Sequence, residues 1–301
     1  MHISLHRVRS FFAPYLVPIL LTVIPITASA QPPSTSDSYR LGLNYFYGRS
    51  VPVDYEKAAA LFRESANTGD PRSQFMLGYL YSYGFGLPRD FARAAEFFRT
   101  SALQGYALAE NNLASFYQHG QGVSKDLREA ARWYLAAALQ GDAVAQANLA
   151  SLYYTGTGLP QDFNQAAHWF RAAAESGQPN AQNDLAVLYC YGQGVPVDYG
   201  KAARWARLAA DQGLVPAQSN LAFLYEHGWG VPLDYVSAFA WYSRASRAGD
   251  HAAAERLVSL RQIMTSKQLD RATVLLASQT PVQDLSSSVP ALAFGFSDPI
   301  K

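Results

Sequence analysis

The sequence lacks the features that would stabilise a small secreted scaffold or form a nucleic-acid interface. Its 301 residues include one cysteine, Cys190, so no intramolecular disulfide can form. Charged residues make up 16% of the chain, and 24 Lys and Arg residues nearly balance 23 Asp and Glu residues. No run of five or more basic residues occurs. These absences argue against a disulfide-stapled domain and against a basic nucleic-acid-binding patch.

The pattern of residues 1–30 is typical of a secretory signal peptide. Arg7 and Arg9 give it a positively charged start, an apolar stretch follows, and an Ala-Ser-Ala cleavage site ends at Ala30. A membrane anchor is the alternative, but three prolines interrupt the apolar stretch, which is shorter than the roughly 20 residues that a span needs. We therefore expect cleavage after Ala30 and no stable membrane insertion afterwards.

The absence of glycosylation sites bears on where the mature chain works. No Asn-x-Ser/Thr triplet occurs in the sequence, and this favours a bacterial envelope over a glycosylating secretory pathway. The sequence therefore predicts a periplasmic or secreted protein.

One stretch occurs six times at a constant spacing of 36 residues. Its third copy reads Gly120-Gln121-Gly122-Val123-Ser124-Lys125-Asp126. The first glycines of the copies are Gly48, Gly84, Gly120, Gly156, Gly192 and Gly228, and the aspartates six residues later are Asp54, Asp90, Asp126, Asp162, Asp198 and Asp234. A fixed period of this length indicates a solenoid in which each repeat packs on its neighbours.

Each copy of the stretch lies between two helical patterns. In the third repeat the first helix covers Ala107 to His119, because its apolar residues recur at helical spacing. Gly120 is expected to end this helix in the left-handed conformation, and Gly122 to turn the chain back. Asp126 then caps the second helix, with Glu129, or Gln165 in the next repeat, completing a capping box.

Columns of residues recur at equivalent places and are predicted to form the core. Alanines facing large aromatic rings let helices approach closely. The columns are Leu41, Leu77, Leu113, Leu149, Leu185 and Leu221; Tyr45, Tyr81, Tyr117, Tyr153, Tyr189 and Tyr225; Ala58, Ala94, Ala130, Ala166, Ala202 and Ala238; and Leu61, Phe97, Trp133, Trp169, Trp205 and Trp241.

The pattern Ala-x3-Leu-Ala/Gly-x2-Tyr-x2-Gly-x-Gly-Val/Leu-Pro-x-Asp-x3-Ala-Ala-x-Trp resembles the Sel-one-like repeat, a relative of the tetratricopeptide repeat. The first copy departs from it with Ser50 in place of the second glycine, and the third with Ser124 in place of proline. The resemblance implies an all-α fold, a right-handed α/α superhelical solenoid of helix–turn–helix repeats. The repeats are 35–70, 71–106, 107–142, 143–178, 179–214 and 215–250.

The two ends of the mature chain differ from the repeats. Residues 31–38 are a polar linker that runs into the first repeat. Residues 251–280 are predicted to form C-terminal capping helices that cover the last apolar face, with Thr265 and Gln268 opening the second of them. Residues 281–301 have no periodicity and are predicted to be a disordered tail.

No catalytic, cofactor or metal constellation emerges from the sequence. The histidines are scattered, and no spacing resembles a zinc site. Cys190 is interpreted as an unpaired thiol that could be exposed, not as a nucleophile. The repeated aspartates suit capping better than acid–base work. Some members of the resembled family have cysteine pairs in every repeat and a link to β-lactams, but this chain lacks those cysteines.

Partner recognition is expected at positions that vary between repeats, on a face of the first helices beside the core. In related helical solenoids the first helices line a concave groove. The predicted partner-binding residues are Asn112, Asn148, Asp184, Asn220, Tyr79, Tyr83, His119, Tyr191, Phe223, His227 and Trp229. For the asparagines, an equal alternative is that each bonds to a neighbouring helix and holds the stack. Trp229 and Phe85 are expected to be exposed loop aromatics.

The sequence predicts a monomeric, non-catalytic scaffold, adaptor or regulatory protein of the bacterial envelope. Its partner would be a protein or peptide bound along the groove, and no nucleic acid is expected. Two alternatives remain open, namely a hydrolase acting on cell wall or β-lactams, and a module that binds peptidoglycan or another glycan through exposed aromatics.

Overall fold

A computed structural model describes residues 35–277, which contain 14 α-helices and no strand. The predicted signal peptide and the predicted tail lie outside these residues. None of the helices in this range combines the length and apolar character that crossing a membrane requires.

The described chain forms two compact units, one of residues 35–178 with the turn 193–196, and one of residues 179–192 and 197–277. The first unit contains α1 (Thr35–Tyr47), α2 (Tyr55–Ala66), α3 (Pro71–Tyr83), α4 (Phe91–Ala102), α5 (Ala107–His119), α6 (Leu127–Leu139), α7 (Ala143–Thr155) and α8 (Phe163–Glu175). The second unit contains α9 (Pro179–Tyr191), α10 (Tyr199–Asp211), α11 (Val215–His227), α12 (Tyr235–Arg247), α13 (His251–Ile263) and α14 (Ser266–Ala277).

Within each unit the helices pack in chain order, each against the next, except that α14 packs against α12. The predicted all-α solenoid of helix–turn–helix repeats is therefore confirmed. Its predicted right-handed superhelical twist stays a prediction.

The repeated aspartates cap the second helices, as predicted. Asp126, for example, has the extended backbone of an N-cap, and its Oδ1 accepts hydrogen bonds from the backbone N–H groups of Arg128 at 2.9 Å and Glu129 at 3.1 Å. All six aspartates accept such bonds. Backbone hydrogen bonds are also the main reason why the pKa values of Asp54 and Asp198 lie below the ordinary aspartate value.

The predicted capping box at Glu129 is wrong. A capping box needs the N-cap N–H as donor, but the Asp126 N–H already donates to the Tyr117 carbonyl at 2.9 Å. The Glu129 carboxylate instead accepts from Arg132 at 3.1 Å. In the next repeat the Asp162 N–H is likewise engaged, with the Tyr153 carbonyl at 2.9 Å, so Gln165 has no N-cap donor there either.

The bond from the aspartate N–H to a tyrosine carbonyl nine residues earlier occurs at every copy of the turn. The pairs are Asp54–Tyr45, Asp90–Tyr81, Asp126–Tyr117, Asp162–Tyr153, Asp198–Tyr189 and Asp234–Tyr225. Each bond ties the start of a second helix to the last turn of the first helix. A reciprocal capping box does form where no such carbonyl competes, between Thr265 and Gln268 at 2.9 and 3.3 Å.

The second glycine of the turn cannot be replaced by a larger residue, because the preceding second helix leaves no room for a side chain there. Gly122 has φ of +64°, and a Cβ there would lie 2.0 Å from the Phe91 carbonyl oxygen at the start of α4. Gly86, Gly158, Gly194 and Gly230 approach the preceding second helix in the same way. Ser50 keeps a left-handed φ of +61°, and within residues 35–277 no second helix precedes it. The departure in the first copy thus falls where the close approach is absent.

The alanine and leucine columns form the core as predicted, but in the tyrosine column only Tyr81 and Tyr189 are buried. The alanine column is fully buried, and five of the six leucines are at most 1% exposed. In the column of Leu61, Phe97 and the tryptophans, however, only Trp241 is buried. The largest fully buried rings belong to the next residue along, namely Phe62, Phe98, Tyr134, Phe170 and Tyr242. Trp133, Trp169 and Trp205 are half-buried, and the Arg132 guanidinium lies 5.6 Å from the Trp133 ring.

In three repeats a hydrogen bond, here called the polar ladder, joins the start of the first helix to the end of the second helix of the same repeat. The Gln104 amide donates to Gln74 Oε1 at 2.7 Å, and the Gln140 amide donates to Glu110 Oε2 at 2.7 Å. Gln212 and Gln182 repeat the bond at 2.8 Å. Where Ser176 and Ala248 replace the donor glutamine, the buried Oε1 atoms of Gln146 and Gln218 have no partner among the described residues. The ladder therefore depends on a glutamine at the helix end.

Glu110 is a carboxylate at the ladder position where other repeats have Gln74, Gln146, Gln182 and Gln218. It is 5% exposed, and burial raises its pKa, with the hydrogen bond from Gln140 opposing the shift and the nearby Asp142 adding to it. An ionised Glu110 is therefore a destabilising element in the folded chain.

Replacing Gly122 by Ala is expected to destabilise the fold far more than replacing Gly141. Both have positive φ, but nothing lies within 4 Å of a Cβ at Gly141. Gly141→Ala carries only backbone strain, about 1–2 kcal/mol, whereas Gly122→Ala also forces α4 away and should cost about 3 kcal/mol or more. Urea unfolding of both variants checks this, and equal losses would contradict the close approach.

Glu110→Gln is expected to stabilise the chain at pH 7 by on the order of 1 kcal/mol, since glutamine keeps the bond to Gln140 without the buried charge. A carboxyl with a raised folded pKa costs stability above that pKa and none once protonated. The gain should therefore vanish at about pH 3, below the ordinary carboxyl pKa. Thermal unfolding across pH measures it.

Gln74→Glu is the mirrored control for the same ladder position. It should lower the stability at pH 7 and leave it unchanged at about pH 3. A gain from Glu110→Gln that is independent of pH would refute the assignment to the carboxylate charge.

Candidate functional site

Aromatic side chains from two adjacent repeats meet beside the turn in the first unit. Tyr55 at the start of α2 stacks on Phe85 with ring centroids 4.9 Å apart, and Phe85 stacks on Tyr83 at 5.6 Å. Tyr79 lies 4.5 Å from Tyr83. These four residues, here called the first aromatic cluster, join the C-terminal end of α3 to the start of the preceding second helix.

An equivalent cluster occurs in the second unit. Trp229 lies 4.9 Å from Tyr199, 5.4 Å from Phe223 and 5.4 Å from His227, and Phe223 lies 4.1 Å from His227. This second aromatic cluster uses the same four repeat positions as the first, four repeats further along the sequence. In the repeats between them, the position of Phe85 and Trp229 is Gln121, Thr157 and Gln193.

The first cluster is partly exposed. All four of its rings are half-buried, and burial raises the pKa values of the Tyr79 and Tyr83 hydroxyls. The hydroxyl groups of Tyr55, Tyr79 and Tyr83 form no hydrogen bond with any residue in the range 37–277. The cluster therefore offers aromatic surface together with hydroxyl groups that can bond to a ligand.

The two predicted loop aromatics, Trp229 and Phe85, are not exposed. Both are half-buried, because each stacks on the tyrosine that begins the preceding second helix, Tyr199 or Tyr55. The sequence analysis did not predict that Tyr55 and Tyr199 belong to the site. Both lie one residue after a capping aspartate, where the third repeat has Leu127, and this aromatic replacement is the pattern that could have indicated them.

Two of the predicted asparagines, Asn220 and Asn148, join consecutive first helices. The Asn220 amide donates to Asn183 Oδ1 at 2.7 Å, and the Asn148 amide reaches Asn111 Oδ1 at 3.4 Å. Asn112 instead donates to the Leu108 carbonyl of its own helix at 2.7 Å. For Asn220 and Asn148 the contacts match the structural alternative.

Three of the residues predicted to bind a partner are buried. Asn220 is 0%, Phe223 3% and Asp184 4% exposed. Partner contact at these three positions stays a prediction. Asn112, Asn148, Tyr79, Tyr83, His227 and Trp229 are half-buried, and His119 and Tyr191 are exposed, so partner contact at these positions stays a prediction.

The two histidines of the prediction make the same local bond. The Nδ1 of His119 lies 2.8 Å from the Ser115 carbonyl, and the Nδ1 of His227 lies 2.9 Å from the Phe223 carbonyl. Because a carbonyl only accepts, each Nδ1 carries the proton. His227 also packs into the second aromatic cluster.

The single cysteine, interpreted from the sequence as an unpaired thiol that could be exposed, is free and buried. Cys190 is 8% exposed, and burial raises the pKa of its thiol to about 12. Among the side chains of residues 37–277, no group of three or more His, Cys, Asp or Glu residues is arranged to hold a metal ion.

An open depression of about 590 Å³ lies elsewhere in the first unit, lined by Arg128, Gly156, Gly158, Leu159 and Pro160. It shares no residue with the aromatic cluster of that unit.

Comparison with known families finds the Sel1 repeat six times, at residues 38–70, 71–106, 107–142, 143–178, 179–214 and 215–250. The comparison with curated proteins gives no match.

The solved structures that are similar to the chain include two that share more than 30% sequence identity with it. A protective antigen of uropathogenic Escherichia coli with an SLR fold shares 37% identity over 80% of this chain, with a TM-score of 0.75. A Sel1 repeat protein from Oxalobacter formigenes shares 34% identity over 75% of the chain, with a TM-score of 0.67. The chain spans only 52% and 66% of the lengths of these two proteins. With the in-phase turns, caps and helix pairs described above, these matches show that the chain belongs to the Sel1 repeat family.

Proposed function

We propose that the chain is a non-catalytic scaffold or adaptor of the bacterial cell envelope that binds a protein partner at its first aromatic cluster. Proteins of the Sel1 repeat family are typically protein–protein interaction scaffolds. The observation that carries the proposal is the set of half-buried rings whose hydroxyl groups have no partner in residues 37–277.

The first cluster has the composition of an interface anchor. Tyrosine supplies a large rigid contact area and a polar group, and it is enriched among the residues that dominate binding energy. Its rings are held by stacking on one another, so that little side-chain freedom is lost when a partner binds. The other recurring side chains, namely the aspartate caps and the alanine and leucine columns, are already used for folding.

The residues that follow the cluster in the first unit are polar. The positions of Tyr79 and Tyr83 become Ser115 and His119 in the third repeat, and Ser151 and Thr155 in the fourth. A partner segment lying along these first helices would therefore place an apolar anchor on the cluster and polar groups beyond it.

The envelope location rests on the leader-like residues 1–30. One relative is described as a protective antigen of uropathogenic Escherichia coli strains. An antigenic protein fits an exported chain, although the present chain covers about half of that relative.

The proposal predicts that Tyr83→Ala weakens partner binding at least about tenfold, the loss expected for an interface anchor. The matched control is Tyr45→Ala, which removes a half-buried ring outside the cluster in the same unit. Each chain is used to capture proteins from a periplasmic extract, the retained proteins are identified by mass spectrometry, and their affinities are measured after purification.

A protein retained by the wild-type chain and by Tyr45→Ala, but lost with Tyr83→Ala, supports the proposal. Equal binding by all three chains would refute the assigned surface. Selective retention of isolated peptidoglycan instead of a protein would favour a glycan-binding module, and thermal unfolding of each variant separates loss of binding from loss of fold.

A further inference from the structure

Two second helices in the second unit carry charge of almost one sign. The cations are Lys201, Arg204 and Arg207 on α10 and Arg244 and Arg247 on α12, and the only carboxylate on either helix is Asp211. The first helices between and beside them, α9 and α11, contain two carboxylates and no Lys or Arg. Among α9 to α12, the positive charge therefore lies on the second helices α10 and α12.

This arrangement differs from the second helices of the first unit. There each helix carries both signs, as in α6, where Arg132 pairs with Glu129 at 3.1 Å. A solvated helix surface ordinarily mixes charges in this way. A patch of one sign produces a field that attracts an oppositely charged partner.

Several of these cations are held in place by aromatic rings. The guanidinium groups of Arg207 and Arg244 lie 5.9 and 4.6 Å from the Trp241 ring, so that one indole fixes cations from both helices. Arg207 also donates a hydrogen bond to the Tyr225 hydroxyl. Cations fixed before binding lose little conformational freedom when a partner arrives.

Two of the cations remain unpaired within the described chain. Lys201 pairs with the cap Asp198 at 3.2 Å, and Asp211 acts on Arg244, where it opposes the lowering of the pKa of that guanidinium by burial. Arg204 and Arg247 are exposed and have no hydrogen bond, ion pair or ring contact with a residue of the range 37–277. They are the groups most available to an external anion.

The surroundings of the cations favour a protein over a lipid bilayer as the occupant. Leu208 is 40% exposed, but Trp241 is buried, so the face has little apolar surface to insert into a membrane. A few charges alone hold a protein on an anionic membrane weakly, at about 1 kcal/mol each.

We propose that this basic face, made of Lys201, Arg204, Arg207, Arg244 and Arg247, binds a carboxylate-rich segment of a protein partner. This proposal goes beyond the proposed function. The basic face is a second interaction surface, and it shares no side chain with the first aromatic cluster. A scaffold with two such surfaces can hold two partners, or two parts of one partner.

The test uses the full mature chain and a fluorescent oligomer of glutamate as probe, with a glutamine oligomer of the same length as the neutral control. Binding is measured by anisotropy at about 0.15 M ionic strength, where surface charges more than about 8 Å apart are largely screened. Arg204→Gln with Arg247→Gln should weaken glutamate binding about tenfold, since each exposed ion pair contributes about 0.5–1 kcal/mol.

The charge-matched control is Arg63→Gln with Arg128→Gln, two exposed arginines of the first unit, and it should change binding less than about twofold. Equal weakening by both pairs would show attraction by net charge only and overturn the proposal. So would binding of the glutamine oligomer, or stronger binding to vesicles of phosphatidylglycerol than to the glutamate oligomer through the same arginines.

Discussion

The backbone bond from each capping aspartate to a tyrosine carbonyl is the interaction on which the repeats depend. The Asp126 N–H reaches the Tyr117 carbonyl at 2.9 Å, which fixes where the second helix starts relative to the end of the first. The same aspartate uses its side chain to satisfy the first free N–H groups of the second helix. One residue thereby closes the turn and begins the next helix.

The second glycine of the turn connects each repeat to the one before it, because it lies close to the backbone of the preceding second helix. At Gly122 the turn lies directly against the Phe91 carbonyl of the preceding second helix, so the spacing between repeats is set by backbone contact and not by side-chain size. Alanines that are fully buried in every second helix allow the same closeness along the helices. Recurring residues are thus committed to stacking, and the varying positions beside them are left for recognition.

Much of the fold could be predicted because its determinants repeat in register. The helix pairs, the glycine turns and the aspartate caps all follow from a 36-residue period. The capping box at Glu129 could not be rejected from the sequence, because the competing acceptor, the Tyr117 carbonyl, lies nine residues away and carries no side-chain signal. Local patterns cannot reveal a donor that is already used at longer range.

Burial within the candidate site was harder to predict than the fold. Helical spacing placed Asp184, Asn220 and Phe223 on a face beside the core, but it could not indicate how deeply that face is buried. All three side chains are buried. The aromatic clusters depend on rings from different repeats, such as Tyr55 and Phe85, and such pairs become visible only once the stacking of turns is known.

Amide hydrogen exchange in the turns tests the central claim most directly. In the third turn the Asp126 N–H is bonded to a carbonyl, whereas the adjacent Lys125 N–H has no backbone partner in the described chain. The account predicts that the Asp126 amide exchanges about a hundredfold more slowly than the Lys125 amide, with protection close to that of the helices. Equally fast exchange at both amides would contradict the role assigned to this bond.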